Sequence, residues 1–220
     1  MKKIIFIVII VLTTILYFSG CKKDDLNELQ GNTDIALNQV GNEFRGGIGI
    51  NDTYGNIPPY SCEIVASKDG IATVEVIYDL KAVPELAFID NLIPAELKDA
   101  QGRLNARGDV KMTSEGIMDY TNLDKAPFTA IKYDAKVGDK YTLTKSNGQT
   151  ITRTVTAKSE TDDFEWGLML IKTTTVEQDS RIPGISKIVY RFNHKFGLVY
   201  AEVVAEDGSK FSAYVNPQNY

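Results

Sequence analysis

The chain has 220 residues, of which 43% are hydrophobic and 24% are charged. This composition excludes wholesale disorder, because disordered chains combine low hydrophobicity with high net charge. The 24 Lys and Arg against 29 Asp and Glu give a formal net charge of -5, which argues against nucleic acid as a partner, since phosphate binding needs a basic face. Two Cys and one His are too few for a disulfide framework or an all-protein zinc site.

The first twenty residues have the pattern of a signal peptide. Lys2 and Lys3 form a positive n-region, and an apolar stretch runs from Ile4 to Phe18. A bilayer core needs about 20 apolar residues to be crossed, so this stretch is too short for a permanent span and matches an h-region. We therefore expect residues 1–20 to be removed from the mature protein.

The signal ends in Ser19, Gly20 and Cys21. Small residues directly before a Cys resemble the lipobox of bacterial lipoproteins, although Phe18 stands where that family prefers Leu. The resemblance implies that the signal is cut before Cys21, that the Cys21 sulfur carries a diacylglycerol, and that the new amine is acylated. Two or three acyl chains give a stable membrane anchor.

The residues after Cys21 predict the cellular location more specifically. The run Lys22-Lys23-Asp24-Asp25 resembles the Lys-Asp-Asp signal of surface-exposed lipoproteins in Bacteroidota-type bacteria. This resemblance implies a lipid anchor in the outer membrane and exposure at the cell surface. Residues 21–42 are rich in Asn, Asp, Gln and Gly, which predicts a lipidated Cys and a flexible tether before a globular domain over residues 43–220.

Turn signals indicate that this domain is a meander of antiparallel strands. Asn-Gly and Asp-Gly pairs favour the positive φ angles of type I′ hairpin turns, and each pair here is flanked by Thr, Val, Ile, Tyr or Phe. The three pairs are Asp69-Gly70, Asn147-Gly148 and Asp207-Gly208.

Apolar and polar residues alternate along several of the predicted strands. Ile151, Arg153 and Val155 share one face of a strand whose other face is rich in Thr, and such strands bury one face. The stretch from Phe164 to Val176 is apolar on both faces, which predicts one long central strand. A further hairpin is expected over residues 103–120.

One stretch departs from the strand pattern. The segments Pro84–Ile89 and Pro94–Lys98 each begin with Pro, which suits the first turn of a helix. We predict one or two short helices there, which would plug or cover one end of the sheet.

These elements predict a mainly β protein with a single antiparallel meander that closes into a barrel or a strongly curled half-barrel. Closure would remove the exposed sheet edges. A β-sandwich is the alternative. The shape is similar to the half-barrels of periplasmic lipoprotein carriers or to a lipocalin-like cup, an analogy of fold that fixes no function.

The ionisable residues form no recognisable catalytic or metal-binding motif. His194 lies in a predicted tight turn, Cys62 alternates with apolar Ile64, and the acidic residues over 160–165 match no calcium loop. We therefore predict no catalytic residue, metal or cofactor. A hydrolase that works with carboxylates alone is the enzymatic alternative.

Aromatic residues are the most informative excess in the sequence, with 11 Tyr, 9 Phe and 1 Trp. In a β protein they fill the core or line a groove that binds a ligand. We select five of them as candidate ligand-binding residues for an amphiphile or a glycan: Phe164, Trp166, Tyr190, Phe192 and Tyr200. The alternative function is that of an accessory lipoprotein with a filled core, which contacts a protein partner of an outer-membrane complex.

Overall fold

The described part of the chain consists almost entirely of antiparallel strands. The computed structural model describes residues 29–50, 53–54, 60–79, 81, 95–122, 124–180 and 184–220, so the predicted signal peptide, Cys21 and the Pro84–Ile89 helix lie outside the described residues. In chain order the strands are β1 (Phe44–Arg45), β2 (Ile48–Ile50), β3 (Thr53–Tyr54), β4 (Tyr60–Lys68), β5 (Ile71–Tyr78), β6 (Leu104–Thr113), β7 (Gly116–Asp119), β8 (Phe128–Lys132), β9 (Lys140–Thr144), β10 (Thr150–Lys158), β11 (Phe164–Trp166), β12 (Met169–Ile171), β13 (Thr174–Asp179), β14 (Ile185–Asn193), β15 (Gly197–Ala205), β16 (Lys210–Tyr214) and β17 (Asn216–Pro217).

The predicted hairpins are confirmed. β4 pairs with β5, β9 with β10, and β15 with β16, each across one of the Asp-Gly or Asn-Gly turns. In the first turn Asp69 and Gly70 both have positive φ, 52° and 77°, as a type I′ turn requires. The hairpin expected over 103–120 is formed by β6 and β7.

Two large sheets pack face to face. One has the order β4-β5-β6-β7-β8 and the other the order β3-β2-β16-β15-β14-β13-β10-β9. Their facing sides share one apolar core, to which the first sheet contributes Ile64, Met112 and Ile131, and the second contributes Val155, Val176 and Phe192. This is the arrangement of a sandwich, in which each strand buries alternate residues against the opposite sheet.

The predicted barrel is therefore wrong, while the mainly antiparallel β class is confirmed. Among the described strands, β3 and β9 each pair on one side only, so the eight-stranded sheet keeps two edges. Where β8 meets β9, no backbone ladder forms; the Lys132 N–H donates instead to the Tyr141 hydroxyl oxygen at 3.2 Å. The alternation read from the sequence suits a barrel and a sandwich equally, because both bury one face of each strand.

A charged side chain lies in the core between the two sheets. Arg153 on β10 is 6% exposed, and its guanidinium lies 2.5 Å from the Asp119 carboxylate on β7. The same group donates to Gln178 Oε1 at 2.8 Å and to the carbonyl oxygens of Phe128 and Thr129 at 3.3 and 3.2 Å. It also lies 3.9 Å above the Phe128 ring. These bonds tie β10 and β13 of one sheet to β7 and β8 of the other.

The segment before β1 is packed onto the sheets. Leu29 and Leu37 are each 3% exposed, and the Asn38 side chain donates to the Met112 carbonyl oxygen at 2.7 Å. Asn42 exchanges two hydrogen bonds with the backbone of Asn219 near the other end of the chain. Residues 29–42, which the sequence assigned to the flexible tether over 21–42, are therefore packed instead, because Leu29 and Leu37 are buried and Asn38 and Asn42 bond to distant backbone groups; residues 21–28 lie outside the described part.

The long strand predicted from Phe164 to Val176 is also wrong. The stretch forms the short hairpin β11–β12, with a turn at Gly167 (φ 61°), and then β13 in the eight-stranded sheet. Some of its apolar residues pack on the outer face of the eight-stranded sheet, and others pack in the core between the sheets. A run of apolar residues looks the same in the sequence whether it packs on two surfaces or forms one buried strand.

Two 3-10 turns of three residues have bounds that lie within the described residues. One is Ala36–Asn38 and the other is Ala95–Leu97, within the second stretch predicted to be helical. Neither described helix has the length and apolarity needed to cross a bilayer.

We expect Arg153→Met to lower the free energy of unfolding by about 3–5 kcal/mol, because it leaves Asp119 buried without its cation. Urea unfolding followed by circular dichroism measures this loss. The double variant Arg153→Met/Asp119→Leu should be more stable than Arg153→Met alone, since no unpaired charge remains in the core.

The matched control is Arg107→Met, which removes a pair between a 65% exposed arginine and Glu75. Such surface pairs contribute about 0–1 kcal/mol. Equal losses for Arg153→Met and Arg107→Met would contradict the structural role assigned to the buried pair.

Candidate functional site

The β11–β12 hairpin lies on the outer face of the eight-stranded sheet, away from the shared core. Phe164 on this hairpin is partly buried, and its ring centroid lies 5.9 Å from that of Tyr200 on β15 and 6.0 Å from that of Tyr214 on β16. Tyr200 and Tyr214 are register partners whose rings lie 5.0 Å apart. The three rings form an aromatic cluster across β15 and β16, which we call the outer aromatic cluster.

Trp166 attaches the hairpin to the sheet. It is 3% exposed, its ring lies 4.5 Å from that of Phe196, and its Nε1–H donates to the Val215 carbonyl oxygen at 3.0 Å. A buried indole whose one donor is satisfied is well suited to packing. Trp166 therefore packs between the hairpin and the sheet and supports the site, and its ring is not accessible to a ligand.

Arg191 adds a positive charge to the outer aromatic cluster. It is the register partner of Tyr200, and its guanidinium carbon lies 4.8 Å from the Phe164 ring centroid. Its Nε is buried without an acceptor, and Arg191 forms no ion pair with any described residue. Each of the other described arginines has a carboxylate partner: Arg45, Arg103, Arg107 and Arg153.

The carboxylate of Glu202 lies on the same face but is engaged elsewhere. Its Oε2 accepts the hydroxyl hydrogen of Tyr200 at 2.8 Å. That bond holds the Tyr200 ring in place, and among the described residues the Arg191 guanidinium keeps its aromatic contact with Phe164 without a carboxylate partner. A guanidinium has five donors in a planar fork that matches a carboxylate, so this face offers an anion-binding group beside aromatic rings.

The five aromatic residues selected from the sequence do not form one site. The structure brings Phe164, Trp166 and Tyr200 together on the outer face. Phe192 is 4% exposed within the shared core, and Tyr190 packs against that core beside Arg153, with 5.6 Å between the guanidinium carbon and the ring centroid. Desolvation raises the pKa of the Tyr190 hydroxyl.

Sequence reasoning missed Arg191, the charged member of this site. A signal was present, because Arg191 stands between Tyr190 and Phe192, and alternate residues of a strand face opposite sides. Burial of the two aromatic neighbours in the core places Arg191 on the outer face.

The groups considered for catalysis lie apart. His194 is exposed in the turn between β14 and β15, whereas Cys62 is partly buried on β4 of the other sheet. Burial raises the pKa of the Cys62 thiol to about 12, and a protonated thiol is a poor nucleophile. In the described part of the chain, no three His, Cys, Asp or Glu residues come together as metal ligands.

Two clefts open on the surface, and both are away from the outer aromatic cluster. One of about 470 Å³ is lined by residues that include Leu29, Ser114, Lys132 and Tyr133. The second, of about 400 Å³, lies over Leu97 and Arg107 on the five-stranded sheet. Neither of these two clefts is lined by the candidate residues.

Comparisons with known proteins find only a distant structural similarity. No family model matches the chain, and no curated protein matches it significantly. Among solved structures, it is similar to a protein of Bacteroides fragilis named as an exported protein with a YmcC-like fold, with 9% sequence identity and a TM-score of 0.47. The alignment covers 82% of this chain and 96% of that chain. A likeness at this level gives no argument about function.

We expect the Cys62 thiol to resist alkylation by iodoacetamide at pH 9.5 in the folded protein and to react rapidly in urea. Burial raises the pKa of this thiol from the ordinary value of 9.0 to about 12, so only the unfolded chain is largely thiolate at that pH. Mass spectrometry of a Cys21→Ser chain measures the rate. Equal rates in buffer and in urea would contradict the shielding of this thiol.

The same shift predicts a pH dependence of stability. Below about pH 9 the thiol is protonated in both states, and its stabilising contribution is fully present. As the pH rises from about 9 towards 12, the unfolded chain loses this proton first, so the free energy of unfolding should fall. A Cys62→Ser variant should lack this component of the decrease.

Proposed function

We propose that this protein is a lipid-anchored, non-catalytic binding module of the outer membrane whose ligand is an acidic glycan. The observation that carries the proposal is Arg191, the described arginine without a carboxylate partner, placed against Phe164 in the outer aromatic cluster. A carboxylate on a sugar ring would accept hydrogen bonds from the terminal N–H groups of the guanidinium.

The neighbouring groups support a ligand with one apolar face and polar edges. Aromatic side chains with a hydroxyl at the rim contribute both kinds of contact. The partly exposed Tyr214 supplies them here, while Tyr200 is 8% exposed and supports the Tyr214 ring from beside it. The overall charge of -5 makes an unpaired arginine on this face more informative, because the chain has an excess of carboxylates with which it could have paired.

The location rests on the amino-terminal sequence. The signal peptide, the Ser19-Gly20-Cys21 sequence and the following Lys and Asp residues support an acylated Cys21 and exposure on the cell surface. A surface lipoprotein is in direct contact with acidic polysaccharides of its surroundings. The proposed cell-surface location is therefore consistent with an acidic glycan as the ligand of the Arg191 face.

We expect the Cys21→Ser chain to bind polygalacturonate and to bind a neutral dextran at least about tenfold more weakly, because hydrogen bonds to charged groups contribute about 1.5–3 kcal/mol. Isothermal titration calorimetry measures both affinities. Arg191→Met should reduce the affinity for polygalacturonate by at least about tenfold for the same reason.

Lys187→Met is the matched control, because Lys187 lies on the same strand but is paired with Glu177 at 2.9 Å. It should retain the affinity of the unaltered chain. Equal binding by Arg191→Met and Lys187→Met would contradict the assignment to Arg191. Cleavage of the bound polysaccharide would contradict the proposed non-catalytic function and favour the alternative, a hydrolase.

A further inference from the structure

The tip of the β11–β12 hairpin is apolar and exposed. Leu168 is fully exposed, Leu170 is 58% exposed and Met169 is 45% exposed. The other large hydrophobic residues exposed in the described ranges are isolated from one another in sequence: Val40, Val137 and Tyr220. Three consecutive apolar side chains in water mark an interaction surface rather than ordinary surface composition.

The tip is held in place by its own base. Trp166 directly precedes the turn and is fixed by Phe196 and by the Val215 carbonyl oxygen, and Ile171 directly after the tip is 5% exposed in the same buried cluster. A hairpin with a buried base and an exposed apolar tip presents that tip in one fixed direction.

The tip lies near the end of the sandwich at which the described chain begins. Leu29 and Tyr133 line the same cleft, and the Lys158 ammonium donates to the Tyr133 carbonyl oxygen at 3.0 Å. Ser159 follows and donates its N–H to the Thr173 carbonyl oxygen; the chain then enters β11. The turn that contains Phe196 belongs to the same end, because Gly197 approaches the Leu37 side chain.

The length of chain before Leu29 limits which part of the domain can face the membrane. Cys21 precedes Leu29 by eight positions, and a fully extended chain reaches about 3.3–3.6 Å per residue, or at most about 29 Å. A nine-residue strand such as β10 is itself about 30 Å long. The end that contains Leu29 is therefore held closest to the bilayer.

We propose that the hairpin tip, Leu168 to Leu170, inserts into the surface of the membrane that holds the Cys21 lipid. This inference rests on the lipid anchor of the proposed function, but not on its glycan. The tip would bury three apolar side chains at the interface. Because Trp166 and Phe164 join the hairpin to the sheet, docking of the tip would also fix the direction in which the Arg191 face points.

The charges beside the tip indicate which lipids it accepts. Four exposed acidic residues lie on the loop and strand that lead to it: Glu160, Asp162, Asp163 and Glu165. These carboxylates repel an anionic surface, so insertion should be stronger into zwitterionic than into anionic bilayers. Because the contact is apolar, it should not weaken as salt is raised.

The test uses the full lipidated chain with a fluorophore at position 168 of the Leu168→Cys variant. The thiol of Cys62 is shielded, so labelling at pH 7 is directed to the introduced thiol. The labelled protein is reconstituted into phosphatidylcholine vesicles, with flotation as the measure of anchoring. The fluorophore is then exposed to nitroxide-bearing lipids and, separately, to aqueous iodide.

Glu206→Cys is the matched control, because Glu206 is exposed in the β15–β16 turn, at the opposite end of the strand that begins beside Phe196. We expect the label at 168 to be quenched by the nitroxide lipids and protected from iodide, and the label at 206 to show the reverse. Replacing phosphatidylcholine by phosphatidylglycerol should reduce the lipid quenching at 168.

Three results would overturn the inference, and they are distinguishable. If the chain floats but the two labels behave alike, the anchor stands and the docking of the tip does not. If the chain does not float, the anchor and the docking both fail. If the label at 168 is open to iodide on vesicles and becomes protected only when an outer-membrane protein is added, the tip binds a protein rather than lipid.

Discussion

The arrangement of the two sheets depends on the pairing of one buried arginine. A guanidinium between two apolar sheets is tolerated only where its charge and its donors are satisfied. Arg153 meets this requirement with Asp119, Gln178 and two backbone carbonyl groups. Because these partners lie on both sheets, a relative shift of the sheets would break several bonds and leave charges in the core.

This constraint also determines which face of β14 is available for function. Tyr190 and Phe192 point towards the core that Arg153 occupies, so Arg191 between them must face outwards. There it meets the β11–β12 hairpin, whose own attachment depends on the buried Trp166. The candidate site is therefore a consequence of the sandwich: one face of the eight-stranded sheet closes the core, and the other carries the hairpin, the aromatic rings and the unpaired arginine.

The packed amino-terminal segment sets how much chain separates Cys21 from the folded domain. A tether of more than twenty residues would leave the orientation of the domain undefined. Burial of Leu29 and Leu37 shows that the packed chain reaches back at least to Leu29, which lies beside the turns at one end of the sandwich. The same end carries the exposed apolar tip, so the proposed lipid anchor and the hairpin would act on one side of the molecule.

Local features of this fold were readable from the sequence by itself. The Asp-Gly and Asn-Gly pairs set their hairpins because the Gly of each pair adopts a positive φ at no steric cost, which is a property of that residue alone. The alternation along the strand already put Arg153 on the same face as Ile151 and Val155, and the amino-terminal pattern predicted an exported, lipid-anchored protein.

Only the tertiary structure decided how these pieces meet. Phe164 to Val176 has the composition of a buried strand, yet it divides into a hairpin on the outer face and a strand in the sheet. Whether β strands close into a barrel or pack as two sheets, and whether Arg191 finds a carboxylate, depends on contacts between residues far apart in the chain. A sequence pattern with a period of two specifies that one side of a strand is buried, but not which distant surface buries it.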